Sequence, residues 1–517
     1  MFSGIVKIAD IDDYITPSQN CVKPLIDKAM NKVAENESKP NLNGSQIKAK
    51  ITIEDSLNPP EEYINFNQVD INTNIKPDLI KIKDKSTKSA KVSLNDCLAC
   101  NGCVTTAETI LIQAQSVDEF LKNTLNSQIT KDKISVVCVS PQTILSLSEY
   151  YQLTTEKTFK LFCHFLKKIG VEYVFNFNTA IMLSLTASYE EFKRRIVEMK
   201  ENFMMCSECP GWICYAEKKV GEWIIPYTSK VKSPQQILGH LIKKMFREKL
   251  NINYDVYLTC IMPCYDKKLE ATRESHKYKE FLEVDCVIST IELPELFFKM
   301  DFDFSENILD DENVSSSYNL DNFYTITKLL KISNENYNDN LNLFFSTQEN
   351  LSSNGYAEFI LNEYIKEFLI DKNYKIERKL GKNSDYKEIF LYVGNEGLPV
   401  LSFCIIYGFR NIQNILRLKN KIKYSYIEIM ACPGGCINGG GQMRPKTQTE
   451  SARDVLKRIE ENVKTSLKHE TSLDVRKQNI ENEILYLMKS LNEEERREIF
   501  EANFKALDKQ SLLNLKW

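Results

Sequence analysis

From residue 134 onward, short apolar runs alternate with stretches that carry apolar residues at the period of an amphipathic helix. The run ISVVCVS at 134–140 is followed by a helical stretch at 155–170. The run VEYVFNF at 171–177 is followed by another at 189–200. Five more runs of the same kind come later: YDVYLTC, VDCVIST, KEIFLYVG, VLSFCIIYG and YSYIEIMA. Because strands and helices alternate in this way in βαβ units, the pattern predicts an α/β fold with parallel sheets flanked by helices.

Three other parts of the chain lack this alternation. Residues 35–93 are rich in Lys, Asn, Ser and Asp, so they are predicted to be a flexible connector inside an N-terminal region of residues 1–130. Residues 131–450 carry the strands and helices and are predicted to form a two-lobed domain, with a polar insertion at about 300–342. Residues 451–517 are predicted to be a helical C-terminal region, because apolar residues recur there at helical spacing.

Composition and charge exclude several classes of function. The 517 residues include 67 Lys and Arg and 71 Asp and Glu, which gives a net charge of -4 and no chain-wide positive field for nucleic acid. No membrane span is predicted, because no segment reaches the ~20 uninterrupted apolar residues that a membrane helix needs. The N-terminus has Asp10, Asp12 and Asp13 where a signal peptide would be apolar. We therefore expect a protein of the cytoplasm, or of the cytoplasm and the nucleus.

The 15 cysteines are the strongest indication of chemistry. Reducing compartments do not sustain structural disulfides, and an odd number of cysteines in a long chain does not indicate a secreted disulfide framework. Clustered cysteines are therefore candidate metal ligands. Isolated cysteines in apolar contexts are predicted to be core residues: Cys163, Cys260, Cys286 and Cys404.

The first candidate ligand set contains three cysteines at C-x2-C-x2-C spacing: Cys97, Cys100 and Cys103. This spacing wraps three thiolates around the corners of a cubane iron-sulfur cluster. The place of the fourth cysteine of a bacterial ferredoxin is Ala107 here, so the fourth ligand must come from elsewhere. Cys21, in a segment bracketed by prolines, is the first candidate, and Cys138 is the second. A zinc knuckle is the alternative, although it more usually pairs two separate C-x2-C hooks.

The second candidate set comes from three distant segments that place Cys beside Pro and Gly: CSECPGW at 206–212, MPCYDKK at 262–268 and ACPGGCINGGG at 431–441. Proline fixes a turn, and glycine lets the main chain approach a bulky inorganic ligand and aim its amides at anionic sulfurs. Four cysteines of these segments would complete the set: Cys209, Cys264, Cys432 and Cys436. A zinc ion could use the same four thiolates, but zinc does not need a glycine bed of this extent.

These three segments closely resemble the cluster-binding motifs of iron-only hydrogenases. The whole chain resembles the eukaryotic relatives of those enzymes, the cytosolic hydrogenase-like iron-sulfur assembly factors (the prelamin-A-recognition-factor-like family). The motifs that carry this resemblance are MFSGIVKIADIDDYITPSQNCVKP, DCLACNGCVTTAET, CPGWICYAEK, KSPQQILG and MACPGGCINGGGQ. The resemblance covers residues 1–24 and 94–450, and its rare motifs occur in the order expected for the family.

The resemblance implies an iron-only-hydrogenase-like two-lobed fold and two 4Fe-4S clusters. The ligands would be Cys21, Cys97, Cys100 and Cys103 for one cluster, and Cys209, Cys264, Cys432 and Cys436 for the other. It also implies a carrier or adaptor in cytosolic iron-sulfur cluster assembly, acting between early scaffold proteins and the late targeting complex that serves cytosolic and nuclear apoproteins. The terminal Leu515-Lys516-Trp517 resembles the tail that docks on the targeting complex, although Lys516 differs from the acidic or small residue usual there.

An iron-only hydrogenase is the main alternative interpretation. Lys267 matches the hydrogenase lysine that holds the diiron ligands, and Cys436 matches the bridging cysteine. However, Glu208 stands where hydrogenases have the cysteine that relays protons, and VFNFNTAIML at 174–183 departs from the polar loop that they present to the diiron unit. A carboxylate with the ordinary pKa of ~4.3 would be ionised at pH 7 unless it were desolvated. We therefore expect no enzyme activity. A zinc-stabilised interaction protein is the third hypothesis.

Overall fold

The structure, a computed structural model, describes residues 104–130, 133–248, 255–273, 275–304, 323–324, 353–381, 383–394, 397–446, 450–468, 484–485 and 487–506. Several predicted functional residues lie outside these ranges: Cys21, Cys97, Cys100, Cys103 and Trp517. The predicted connector and most of the predicted insertion also lie outside them. All the described residues belong to one unit of the chain.

The strands of the described residues are, in chain order, β1 (Lys133–Val139), β2 (Tyr173–Asn176), β3 (Met204–Cys206), β4 (Asp255–Met262), β5 (Lys277–Tyr278), β6 (Phe281–Leu282), β7 (Cys286–Ser289), β8 (Phe323–Tyr324), β9 (Tyr374–Leu380), β10 (Tyr386–Val393), β11 (Leu401–Tyr407) and β12 (Tyr426–Met430). The first sheet has the order β7-β4-β1-β2-β8, and its neighbouring strands are all parallel. The second sheet has the order β3-β12-β11-β10-β9. A small antiparallel pair, β5-β6, stands apart from both.

The helices of the described residues are, in chain order, α1 (Thr106–Ala114), α2 (Val117–Thr130), α3 (Pro141–Tyr151), α4 (Thr155–Lys168), α5 (Asn178–Phe192), α6 (Pro210–Tyr215), α7 (Pro234–Glu248), α8 (Asp266–Ala271), α9 (Leu293–Lys299), α10 (Tyr356–Phe368), α11 (Phe409–Leu416), α12 (Ala452–Lys468) and α13 (Glu493–Phe500). Several begin at capping residues that the sequence supplies. Thr105 and Glu108 form a capping box at the start of α1, and Thr154 caps α4. Helix α6 continues into a π-helical segment, Ala216–Val220.

The predicted α/β fold is confirmed, and the second sheet adds a feature that the pattern did not predict. Strands β3, β12 and β11 are parallel to one another, whereas β10 is antiparallel to both of its neighbours, β11 and the edge strand β9. Strand β9 was missed because it is a mostly exposed edge strand with the sequence YKIERKL, which lacks an apolar run. Strand β3 was missed because it has only three residues.

The hydrophobic core lies on both faces of the sheets. In β1, the side chains of Val136 and Cys138 enter one apolar cluster, while those of Val137 and Val139 enter another. Such burial on both faces is the reason that parallel strands are read as continuous apolar runs. No helix among the described residues is both long enough and apolar enough to span a bilayer.

The cysteines predicted to be core residues are buried. Seven buried cysteines lie in strands and helices or next to them: Cys138, Cys163, Cys206, Cys214, Cys260, Cys286 and Cys404. Cys138, the second candidate for the fourth ligand of the first set, pairs in register with Cys260 on β4 and has no exposed surface. Burial raises its pKa, and the neighbouring Cys260 thiol raises it further. This is the environment of a core thiol.

Candidate metal centre

The cysteines of the second set lie in loops that follow the carboxyl ends of parallel strands. Cys209 follows β3 and is the N-cap of α6, Cys264 follows β4, and Cys432 follows β12. Cys436 opens a single 3-10 turn, Cys436–Asn438. Strands β3 and β12 are neighbours in the second sheet, while β4 belongs to the first. The four cysteines therefore meet where the carboxyl ends of the two sheets converge, which is where open α/β sheets bind ligands.

The four thiols of this set lie close enough to affect one another's ionisation. Burial raises the pKa of Cys264, Cys432 and Cys436, and in each case at least two other thiols of the set raise it further. Every pair among the four is represented in these effects. Across the described ranges, no three His, Cys, Asp or Glu side chains are arranged to hold a single metal ion. The mutual effects on ionisation place the four thiols near one another.

Backbone amides point at the sulfurs of the set. Burial raises the pKa of Cys209 to about 11, while hydrogen bonds from the backbone of Ala431 and Trp212 act in the opposite direction. Burial also raises the pKa of Cys432, and a hydrogen bond from the backbone of Gly440 opposes it. These amides would stabilise thiolates, which are the form that binds metal.

The glycines of the third segment let its loop pack against the loop of Cys264. A Cβ atom built on Gly439 would lie 2.4 Å from the carbonyl oxygen of Pro263. One built on Gly441 would lie 2.8 Å from the Cβ of Ser289 and 3.0 Å from the Cα of Cys264. The Gly441 N–H donates a 2.9 Å hydrogen bond to the Pro263 carbonyl. Glycine at these positions therefore allows the main-chain approach that the sequence predicted.

Glu208 is buried and held beside Cys436. The side-chain amide of Asn354 donates to both of its carboxylate oxygens, at 2.9 and 2.8 Å, and the Cys436 sulfur lies 3.8 Å from one of them. Burial raises the pKa of Glu208, while Lys267 and Asn354 lower it. The structure thus supplies the desolvation that the sequence left open, and it assigns the carboxylate a fixed partner.

Lys267 places a buried positive charge among the thiols. Its Nζ donates to the Glu208 carbonyl at 2.9 Å and to the Glu270 carboxylate at 3.0 Å. Burial alone would lower its pKa, but Glu270 and Glu208 raise it above its usual value. Lys267 in turn favours the ionised form of three of the thiols: Cys209, Cys264 and Cys436. Four thiolates with nearby amides and an ammonium group form a donor set suited to a polynuclear iron-sulfur ligand.

Comparisons with known proteins decide the family. A family model described as "Iron only hydrogenase large subunit, C-terminal domain" matches residues 133–440. The chain is 35% identical over 473 residues to "Cytosolic Fe-S cluster assembly factor narfl" of Xenopus tropicalis, covering 89% of this chain and 88% of the relative. It is 38% identical over 477 residues to "Cytosolic iron-sulfur assembly component 3" of Rattus norvegicus, with the same two shares. This chain belongs to the hydrogenase-like cytosolic iron-sulfur assembly factors.

Solved structures agree on the fold of this chain. A variant of the FeFe-hydrogenase HydA1 from Chlamydomonas reinhardtii matches with a TM-score of 0.56 at 20% identity, covering 76% of this chain and 99% of the hydrogenase. At this identity, the likeness shows a shared fold. The curated relatives carry assembly-factor names and not hydrogenase names, which confirms the prediction that the chain belongs with the assembly factors rather than with the enzymes.

Two residues of the site were not predicted from the sequence. The Ser353 hydroxyl accepts a 3.0 Å hydrogen bond from the Cys436 N–H, and Asn354 holds Glu208. Both lie in the segment Ser-Asn-Gly, and Asn354 has a positive φ of 60°. Such a segment indicates a turn and nothing more. Only the fold brings this turn to the cysteine loops, from a distant part of the chain.

Proposed function

We propose that the chain is a component of cytosolic iron-sulfur cluster assembly and that it binds two 4Fe-4S clusters. The observation that carries this proposal is the convergence of four cysteines from three distant loops, in a chain whose relatives bear assembly-factor names. The second cluster would be held by Cys209, Cys264, Cys432 and Cys436. When bound, such a cluster supplies iron and an electron-transfer centre, while the chain's own residues orient and shield it.

The second cluster is proposed to hold the two sheets together. Its ligands come from loops on both, so the free energy of binding adds to that of folding. Cys209 and Cys432 follow strands of the second sheet, and Cys264 follows a strand of the first. Cys209 and Cys264 are buried and Cys432 is partly buried, which supports a role as a protected, slowly exchanging centre.

The first cluster is proposed to be the more labile one, which is exchanged or passed on. Its ligands would be the cysteines that lie outside the described residues: Cys21, Cys97, Cys100 and Cys103. Val104, which directly follows this run, is buried in a small apolar cluster with Ile112, and Tyr265 packs against that cluster. Tyr265 directly follows Cys264 of the second set. The chain that leaves the first run is thus anchored beside the second site.

The proposed partners are early scaffold proteins and the late targeting complex, and the proposed place of action is the cytosol. A complementation experiment tests the function. In eukaryotic cells depleted of their own relative, the wild-type chain is expected to restore the activity of a cytosolic iron-sulfur enzyme, and Cys432→Ala is expected to fail. Cys163→Ala, a buried thiol in α4, is the control that should restore it. Full rescue by Cys432→Ala would argue against the proposal.

The C-terminal tail provides a separate test of the partner. Deleting Trp517 is expected to abolish co-purification with the late targeting complex, because it removes the aromatic side chain that would fill a pocket on that complex. Trp517→Phe, which keeps an aromatic end, should retain most of the interaction. The iron content should be equal in all three proteins. Unchanged co-purification after the deletion would show that the tail is not the docking element.

A further inference from the structure

After α13, the chain runs as a short strap, residues 501–505, along residues 230–232. The Ala502 N–H donates a 2.6 Å hydrogen bond to the Lys230 carbonyl, and the Lys232 N–H donates a 2.7 Å bond to the Phe500 carbonyl. Val231 and Glu501 form an isolated antiparallel bridge between these bonds. The backbone of the strap is therefore held by a few contacts rather than by a full strand pairing, so it can open locally without disrupting either sheet.

The strap covers a cavity beside the loop of Cys209. The cavity is small, with a volume of about 10 Å³, and it is partly open to solvent. Ser207 and Pro210, which flank the ligand cysteine closely, line one side of it, and Ala502 and Phe504 of the strap line the other. Ala502 is buried and Phe504 is half-buried. A seated strap thus separates solvent from the Cys209 loop at this side of the site.

Two buried polar side chains belong to the lining of this cavity. Ser233 Oγ and His276 Nε2 both lie in its wall, are buried, and have no hydrogen-bond partner. Ser233 is 7% exposed and His276 is 3% exposed. Buried polar atoms without partners favour the entry of water when room is available. Opening of the strap would therefore let solvent, and small solutes with it, reach the Cys209 loop.

The far end of the strap is tied to the helix that Cys209 begins. The Lys505 N–H donates to the Glu217 carboxylate at 3.2 Å, and Arg273 pairs with the same carboxylate at 2.6 Å. The Arg273 guanidinium also lies 5.9 Å from the centre of the Phe504 ring. Glu217 lies on the π-helical segment that continues α6, and π-helical segments are frequent at functional sites.

Lys218, the next residue of that π-helical segment, contacts a helix near the N-terminal end of the described residues. The Lys218 ammonium donates to both carboxylate oxygens of Glu108, each at 2.6 Å. Glu108 lies in the first turn of α1, the helix that begins shortly after Cys103. Two neighbouring residues of one helical turn therefore contact different segments: Glu217 contacts the strap, and Lys218 contacts the helix after the first cysteine run. Movement of the strap would also affect the contact between Lys218 and Glu108.

We propose that residues 501–505 gate the Cys209 side of the second cysteine set. The seated strap excludes solvent and small thiol-reactive or metal-binding solutes, and the released strap admits them. The inference rests on the proposed function for the identity of the ligand. The gating of the thiols themselves can be measured on the metal-free chain.

Alkylation of the metal-free protein tests the gate. In Ala502→Pro, which removes the N–H that binds the Lys230 carbonyl, iodoacetamide is expected to modify Cys209 roughly five- to tenfold faster than in the wild type. Peptide mapping by mass spectrometry measures the rate at each cysteine. Glu501→Ala, whose side chain is exposed on the same strap, is the matched control and should leave the rate unchanged. Cys163 is the internal control, because it is buried in α4.

Phe504→Ala is the second variant and introduces no proline into the backbone. It removes a side chain that lines the cavity, so it should also accelerate Cys209 alkylation. In the iron-loaded protein, both variants should start with wild-type iron and lose it faster to a ferrous chelator. Equal alkylation of Cys209 in the wild type and both variants would overturn the gate, and so would equal acceleration at Cys163. Lack of iron in the wild type would instead overturn the proposed function and leave the alkylation result standing.

Discussion

Cys436→Ala is expected to lower the iron content of anaerobically purified protein from about eight to about four atoms per chain, because loss of one of the four usual thiolate ligands weakens the binding of a 4Fe-4S cluster. Cys436 interacts with the three other thiols of the second set, and its backbone N–H is fixed by the Ser353 hydroxyl at 3.0 Å. The variant should also unfold at a lower temperature than the wild type, since the ligand loops come from both sheets. Iron and sulfide analysis, together with thermal unfolding, measures both effects.

Cys163→Ala is the control for this experiment. Cys163 is 1% exposed in α4 and packs in an apolar cluster away from the ligand loops. Its removal should leave the iron content at the wild-type value. Retention of all the iron by Cys436→Ala would contradict the assignment of the second set, and loss of all of it would contradict two independently held clusters.

Gly441→Ala is expected to lose the second cluster although every cysteine remains. The added Cβ would lie 2.8 Å from the Cβ of Ser289, 3.0 Å from the Cα of Cys264 and 3.1 Å from the Pro263 carbonyl oxygen. Backbone atoms at this distance cannot move aside easily, so the loop that carries Cys436 must shift away from Cys264. Overpacking of this kind costs about 1–3 kcal/mol. The absorbance of the cluster and the iron count measure the result.

Gly397→Ala is the matched control for this substitution. A Cβ on Gly397 would meet nothing within 4 Å, and the residue is exposed. It should keep the wild-type iron content and stability. If Gly441→Ala also kept both, the close contact between the two ligand loops would not be needed for cluster binding.

The sequence predicted the central strands because they are buried on both faces. The apolar runs that became β1, β4 and β11 need no partner side chain to be recognised. The edge strand β9 was not predicted, because its charged residues reflect exposure to solvent and not the backbone pairing. Strand β8 lies inside the predicted insertion and pairs with β2, which the polar composition of that segment did not suggest.

The candidate site was predicted from the chemistry of its loops rather than from their positions. Cysteine beside proline and glycine is rare enough to mark Cys209, Cys264 and Cys432 from local sequence alone. The partners that fix the site are common residues, and nothing local distinguishes Asn354 from other turn asparagines. The desolvation that raises the pKa of Glu208 is likewise a property of the folded chain, because it comes from side chains of several loops.

We propose that the chain carries two 4Fe-4S clusters on eight cysteines and has no hydrogenase activity. The decisive experiment is anaerobic purification followed by iron and sulfide counting, with electron paramagnetic resonance and a hydrogen-evolution assay on the same sample. We expect about eight irons and eight sulfides per chain, signals from two reduced clusters, and no hydrogen. Zinc in place of iron, iron for a single cluster, or hydrogen evolution would contradict it.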